Sequence, residues 1–136
     1  MSTVRSEKEA VVAEIRGKIE SASAVIITEY RGLTVQNLAA LRGQLRGLGT
    51  EYRVYKNTLC QFAAREAGIE GLDALFVGPT AIAFVDGDLA ASAKTLKDFA
   101  KTNPLLVLRG GAVSNKVVSA EYIQVLADLP SREAML

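Results

Sequence analysis

The chain has 136 residues, 49% of them hydrophobic, with 16 Lys and Arg against 15 Asp and Glu, enough for one globular domain with its own core; a two-domain organisation would be forced. It contains no histidine, no tryptophan and one cysteine, Cys60, which excludes an intrachain disulfide, a cysteine-based zinc site and every histidine-dependent nucleophile, acid-base or metal chemistry. The balanced charge hides a basic window: between residues 30 and 65, Arg31, Arg42, Arg46, Arg53, Lys56 and Arg65 face a single acid, Glu51, so a polyanion would approach this part of the fold first.

Residues 4 to 20 place Val4, Val11, Val12, Ile15 and Ile19 at helical spacing among charges, which predicts an amphipathic first helix. The run Ala24-Val25-Ile26-Ile27 is continuously apolar and mostly β-branched, as expected of a strand covered on both faces. After a break at Glu29 to Gly32, Thr34 is a candidate helix cap, and Leu33 and Leu38 form a candidate hydrophobic staple. The helix that follows shows an apolar stripe of Leu38, Leu41, Leu45 and Leu48, with Arg42 and Arg46 four apart on another face.

Residues 51 to 56 alternate as a strand does, and Asn57 is the expected cap of a third helix with Leu59, Phe62, Ala63 and Ala67 inward. Residues 80 to 85 predict another strand, Asp86-Gly87-Asp88 a turn, and residues 89 to 102 a helix buried through Leu89, Ala93, Leu96 and Ala100. Leu105 to Leu108 predict a strand that ends at Arg109-Gly110-Gly111, and Ser119 to Ala127 a helix facing inward with Tyr122, Val125 and Leu126. The alternation predicts a single α/β domain over residues 1–129, with a mixed or mostly parallel sheet of about four strands covered by helices and joined by right-handed crossovers. Residues 130–136 have helix-forming composition and are read as the start of a C-terminal helix that is cut short. The polar N-terminus and the lack of a long apolar run predict no export signal and no membrane span, in a reducing, cytoplasmic setting.

Two basic strand-to-helix turns carry the strongest functional signal: Tyr30-Arg31-Gly32 and Tyr55-Lys56-Asn57. If the first two strands run parallel, their C-terminal ends share one rim, and Arg31 and Lys56 become neighbours beside two helix N-termini whose N–H groups favour phosphate oxygens. Gly32 permits a positive φ and close approach of a nucleic-acid backbone, and Arg31 can fork onto a phosphate or a base edge. Tyr30, Tyr52 and Tyr55 interleave with Arg31, Arg53 and Lys56 and could add stacking, although some of these tyrosines must serve the core. The contrasting reading is a solvated basic face with ordinary turns.

Other constellations are weaker. Asp86 and Asp88 could hold magnesium, but D-G-D between a strand and a helix reads more simply as a turn and cap. Cys60 beside Leu59 and Phe62 reads as packing. Lys94, Lys97 and Lys101 read as a solvated stripe, with Asp98 between them. A nucleotide- or small-molecule-binding α/β enzyme is the alternative on fold analogy alone, and neither phosphate-loop fingerprint is present.

The ordered set Tyr30-Arg31-Gly32-Leu33-Thr34, Lys56-Asn57-Thr58-Leu59, Phe76-Val77-Gly78-Pro79-Thr80 and Leu129-Pro130 resembles the family of the bacterial large-subunit ribosomal protein numbered ten, the stalk-base protein, over essentially the whole chain. The resemblance implies a non-enzymatic α/β domain without a cofactor, anchored to large-subunit rRNA at the base of the lateral stalk beside the stalk-base protein numbered eleven. It also implies a long C-terminal helix carrying dimers of the acidic stalk protein that recruit translational GTPases. That helix would begin where this sequence ends, at Leu136. Free copies of such proteins repress their own messenger RNA. Carried over by motif, Arg31, Gly32, Lys56 and Asn57 are the expected RNA contacts, with Tyr30, Thr34, Arg42, Arg53 and Thr58 as lesser candidates and Lys8 as a further one. Gly78-Pro79-Thr80 is expected to fix backbone geometry rather than touch RNA.

Overall fold

A computed structural model describes residues 3–30, 32–69, 71–86, 89–103, 106–113 and 116–127. In chain order these form α1 (Thr3–Ser21), β1 (Ala24–Glu29), α2 (Val35–Arg46), β2 (Thr50–Arg53), α3 (Asn57–Glu66), a 3₁₀ turn (Leu72–Leu75), β3 (Thr80–Val85), α4 (Leu89–Thr102), β4 (Val107–Val113), β5 (Lys116–Ser119) and α5 (Ala120–Ala127). The expectations for Arg31, for Gly87 and Asp88, for Leu105, for Leu129-Pro130 and for the start of a helix at residues 130–136 lie outside the described residues, as do the side chains of Val4 and Leu126.

One five-stranded sheet runs in the order β2-β3-β1-β4-β5, and every neighbouring pair is antiparallel. The single α/β domain holds, but the mixed or mostly parallel sheet of about four strands does not: five strands pair, all of them antiparallel. The continuous apolar run of β1 reports burial on both faces, and an antiparallel strand between two helical layers meets that condition as well as a parallel one. Ala24 and Ile26 point to a layer built from Leu41, Leu45, Ala93, Leu96 and Ile123 of α2, α4 and α5. Val25 and Ile27 point to the opposite layer, with Ile15, Ile19, Cys60, Ala63 and Ala64 of α1 and α3. Strand alternation thus divides one apolar run between two cores.

Strand β4 continues through Gly110 and Gly111 where the sequence predicted its end. A Cβ on Gly111 would lie 2.1 Å from the Val25 carbonyl oxygen, so only glycine lets β4 approach β1 this closely. The register between the two strands shifts just beyond this pair, where Ile27 faces Gly110 but Thr28 faces Leu108. Strand β5, unforeseen in the sequence, closes the far edge from Val113↔Lys116 to Gly110↔Ser119.

Helix α2 begins as predicted: the Thr34 Oγ1 accepts the Asn37 N–H at 3.0 Å, and Leu33 and Leu38 both pack on the α2 side of the core. Two inward faces differ from expectation. Helix α3 buries the small residues Cys60, Ala63 and Ala64, and Phe62 is exposed, its ring 5.8 Å from the Arg65 guanidinium carbon. In α5 it is Ile123 that is buried, whereas Tyr122 and Val125 are exposed. No helix among the described residues is long and apolar enough to cross a membrane.

Candidate nucleic-acid interface

Strands β1 and β2 are each antiparallel to β3, which lies between them, so they run in the same direction. The expectation that their C-terminal ends share a rim therefore survives the change in topology. What differs is the occupant of the gap, for β3 begins there at Thr80, the register partner of Glu29. Helices α2 and α3 both start from this rim.

Three hydrogen bonds tie the two turns together. Tyr30 donates its N–H to the Pro79 carbonyl at 3.0 Å. Asn57 donates through Nδ2 to the Gly78 carbonyl at 2.6 Å, and its Oδ1 accepts the Thr80 hydroxyl at 2.6 Å. Gly78-Pro79-Thr80 is thus a clamp with one turn on each side. The sequence reading assigned this motif to backbone geometry but placed it apart from the basic turns, because the signal that joins them is a non-local side-chain bond.

The first turn closes through Leu33 N–H to the Tyr30 carbonyl at 3.0 Å, with Gly32 at φ 85° in its third position, where a type II turn calls for glycine. In the second turn Lys56, not Asn57, is the α3 cap residue, and it makes no side-chain cap bond. The Asn57 side chain is committed to the clamp, so it cannot fold back onto its own helix. Lys56 is exposed and has no ion-pair partner among the described residues.

The remaining candidates separate into groups. Thr34 and Thr58 are exposed at the first turns of α2 and α3, and the Thr34 hydroxyl is already engaged as a cap. Lys18 meets Glu51 at 2.6 Å and Glu14 meets the Tyr55 hydroxyl at 2.9 Å, so α1 runs N-ward toward the rim. Exposed Lys8 lies six residues beyond Glu14, about 9 Å further along the helix axis. Arg42 donates its Nε to the Tyr52 carbonyl at 3.1 Å, on the free edge of β2. Arg53 lies 3.7 Å from Glu51, with its guanidinium carbon 5.7 Å from the Tyr55 ring centroid.

The tyrosines are mainly structural. Tyr52 is fully buried and shares a 2.6 Å hydrogen bond with Thr28 Oγ1; burial pushes its phenol up to about 12. Tyr55 is held by Glu14, and burial with that bond raises it to about 12 as well. Tyr30 is half-buried against the α2 side of the core. The stacking role is therefore overturned for Tyr52, whose ring has no free face. Gly110 and Gly111, expected to mark the end of a strand, lie inside β4, and Cys60 is a buried packing residue whose thiol burial pushes up to about 12. Among the described residues no three His, Cys, Asp or Glu side chains gather in a group able to hold a metal.

A family model described as ribosomal protein L10 matches residues 3–101. The chain belongs to the ribosomal protein L10 family. It is similar to the large ribosomal subunit protein uL10 of Cutibacterium acnes, 54% identical over 132 residues, which are 97% of this chain and 64% of that protein. The corresponding protein of Bifidobacterium adolescentis is also 54% identical over 132 residues, of which this chain covers 76%, as is that of Streptomyces griseus, covered to 71%. These relatives are proteins of the large ribosomal subunit, and the motifs that anchor the clamp lie inside the matched stretch of this L10-family chain.

Proposed function

We propose that this L10-family domain is a structural, non-catalytic constituent of the large ribosomal subunit that holds large-subunit rRNA at the stalk base through the clamped rim. The observation that carries the reading is the union of both basic turns by Gly78-Pro79-Thr80, with Lys56 exposed and without an ion-pair partner among the described residues, and two helix N-termini behind it. A pre-organised rim binds a phosphate backbone without first ordering loops, so less of the contact energy is lost to entropy. Arg31 belongs to the proposed contact set on its motif position, together with Gly32, Lys56 and Asn57; Lys8, Thr34 and Thr58 flank it. In the same reading the neighbouring stalk-base protein numbered eleven packs nearby. The acidic stalk dimers would be carried by a C-terminal helix, and free protein would repress its own messenger RNA.

Titrating the full chain with a stalk-base rRNA fragment at several salt concentrations tests this reading. Binding whose logarithm falls linearly with the logarithm of salt is expected, with a slope of about 0.7 to 0.9 per phosphate contact. Binding no tighter than to an unrelated duplex of the same length would remove it.

A further inference from the structure

The free edge of β2 carries a feature that the rim does not use. Arg42 and Arg46 from α2 and Arg53 from β2 line an open groove of about 710 Å³, which also takes in Glu51, Val54 and Asp86. Among the described residues strand β2 ends the sheet, pairing only with β3. Glu51 is already engaged by Lys18 at 2.6 Å, whereas Arg46 is exposed and has no ion-pair partner among the described residues. The groove is thus left with a cationic excess.

An exposed strand edge ordinarily invites a second strand. Here the Tyr52 carbonyl accepts the Arg42 Nε at 3.1 Å, so an acceptor that an incoming peptide would need is occupied. The same bond fixes the Arg42 guanidinium along the edge, and among the described residues its other nitrogens have no ion-pair partner. The chemistry suits phosphate oxygens better than a peptide backbone.

We infer that the groove along β2 is a second phosphate track, which takes the backbone of the same RNA as it leaves the rim. This rests on the rim reading, since Arg53 ends β2 three residues before Lys56 and the lining of the groove reaches Val54, two residues before it. The four residues of β2 span about 10 Å, so the track is short and takes only a few phosphates beyond the rim. Arg46, at the far end of the track, is the residue that tells a long footprint from a short one.

The test uses the full chain, the stalk-base rRNA fragment and three variants, Arg46→Ala, Asp86→Asn and Lys56→Ala, titrated from low to high salt. Arg46→Ala is expected to lower the salt slope by about one and the affinity about five- to eightfold at 0.1 M salt, as a slope of 0.7 to 0.9 per contact implies. Asp86→Asn is expected to tighten binding, since it removes a negative charge from the track. Wild-type binding by both groove variants while Lys56→Ala weakens it would confine the RNA to the rim and overturn the track alone. Unchanged binding by all three would overturn the rim reading and the track with it.

Discussion

Asn57 is the residue on which the candidate interface depends. Its amide satisfies two groups that no neighbour in sequence can reach, the Gly78 carbonyl and the hydroxyl of buried Thr80. Asn57→Ala leaves both without that partner, which costs about 1–3 kcal/mol. Urea unfolding should show a lower midpoint with an unchanged m-value, and the affinity for RNA should fall with it because the two turns are no longer joined. Gly111 is the other residue with no substitute. Gly111→Ala drives a methyl against backbone of the central strand, 2.1 Å from the Val25 carbonyl oxygen, and backbone there cannot yield. A loss of more than about 4 kcal/mol is expected, read as absent cooperative unfolding by circular dichroism. These two residues show what the sequence conceals: Asn57 reads as a helix cap and Gly110-Gly111 as a stop, because a cap and a stop are the commonest uses of those residues. The partners that change their meaning lie 21 and 86 positions away.

At the scale of elements, the sheet is stitched across β3. Thr28 of β1 and Tyr52 of β2 face the same core, and their hydroxyls meet over the intervening strand at 2.6 Å. Tyr52→Phe leaves the buried Thr28 hydroxyl without that partner and should cost about 1–3 kcal/mol, while adding Thr28→Val should recover most of the loss. The double-mutant cycle by urea unfolding measures the pair directly. The positions of α1, α2, α4 and β3 were legible because helical period, the Thr34 cap and the β-branched runs are local signals. Strand direction was not. The run Ala24 to Ile27 specifies burial on two faces, and only the partner across the ladder, Val85 to Ile82, says which way the neighbour runs. Strand β5 has four residues and is mostly exposed, so it carries no alternation strong enough to read. The rim was legible because parallel travel of β1 and β2 holds whether or not a third strand stands between them. The clamp was half legible, as a motif without an address.

At the scale of the whole molecule, three acidic protons are sheltered by folding. Burial pushes Tyr52, Tyr55 and Cys60 up to about 12 from ordinary values of 10.0, 10.0 and 9.0. Between about pH 9 and 12 the unfolded chain releases protons that the folded chain retains, so stability falls as pH rises through that window and is fully present below it. Tyr52, the most enclosed of the phenols, contributes about 3 kcal/mol across the interval. Urea midpoints should be flat from pH 7 to 9 and decline above it, and Tyr52→Phe should make the decline shallower.

Basic residues also occupy α4, where Lys94 and Lys101 are exposed, so net positive charge alone could attract RNA without a dedicated site. The most direct measurement compares two variants of equal charge, Arg31→Ala with Lys56→Ala and Lys94→Ala with Lys101→Ala, for affinity to the stalk-base rRNA fragment as salt is raised. Loss of the rim pair should cost on the order of 30-fold at 0.1 M salt and flatten the slope by about two, with the α4 pair close to wild type; equal losses in both variants would contradict a dedicated rim.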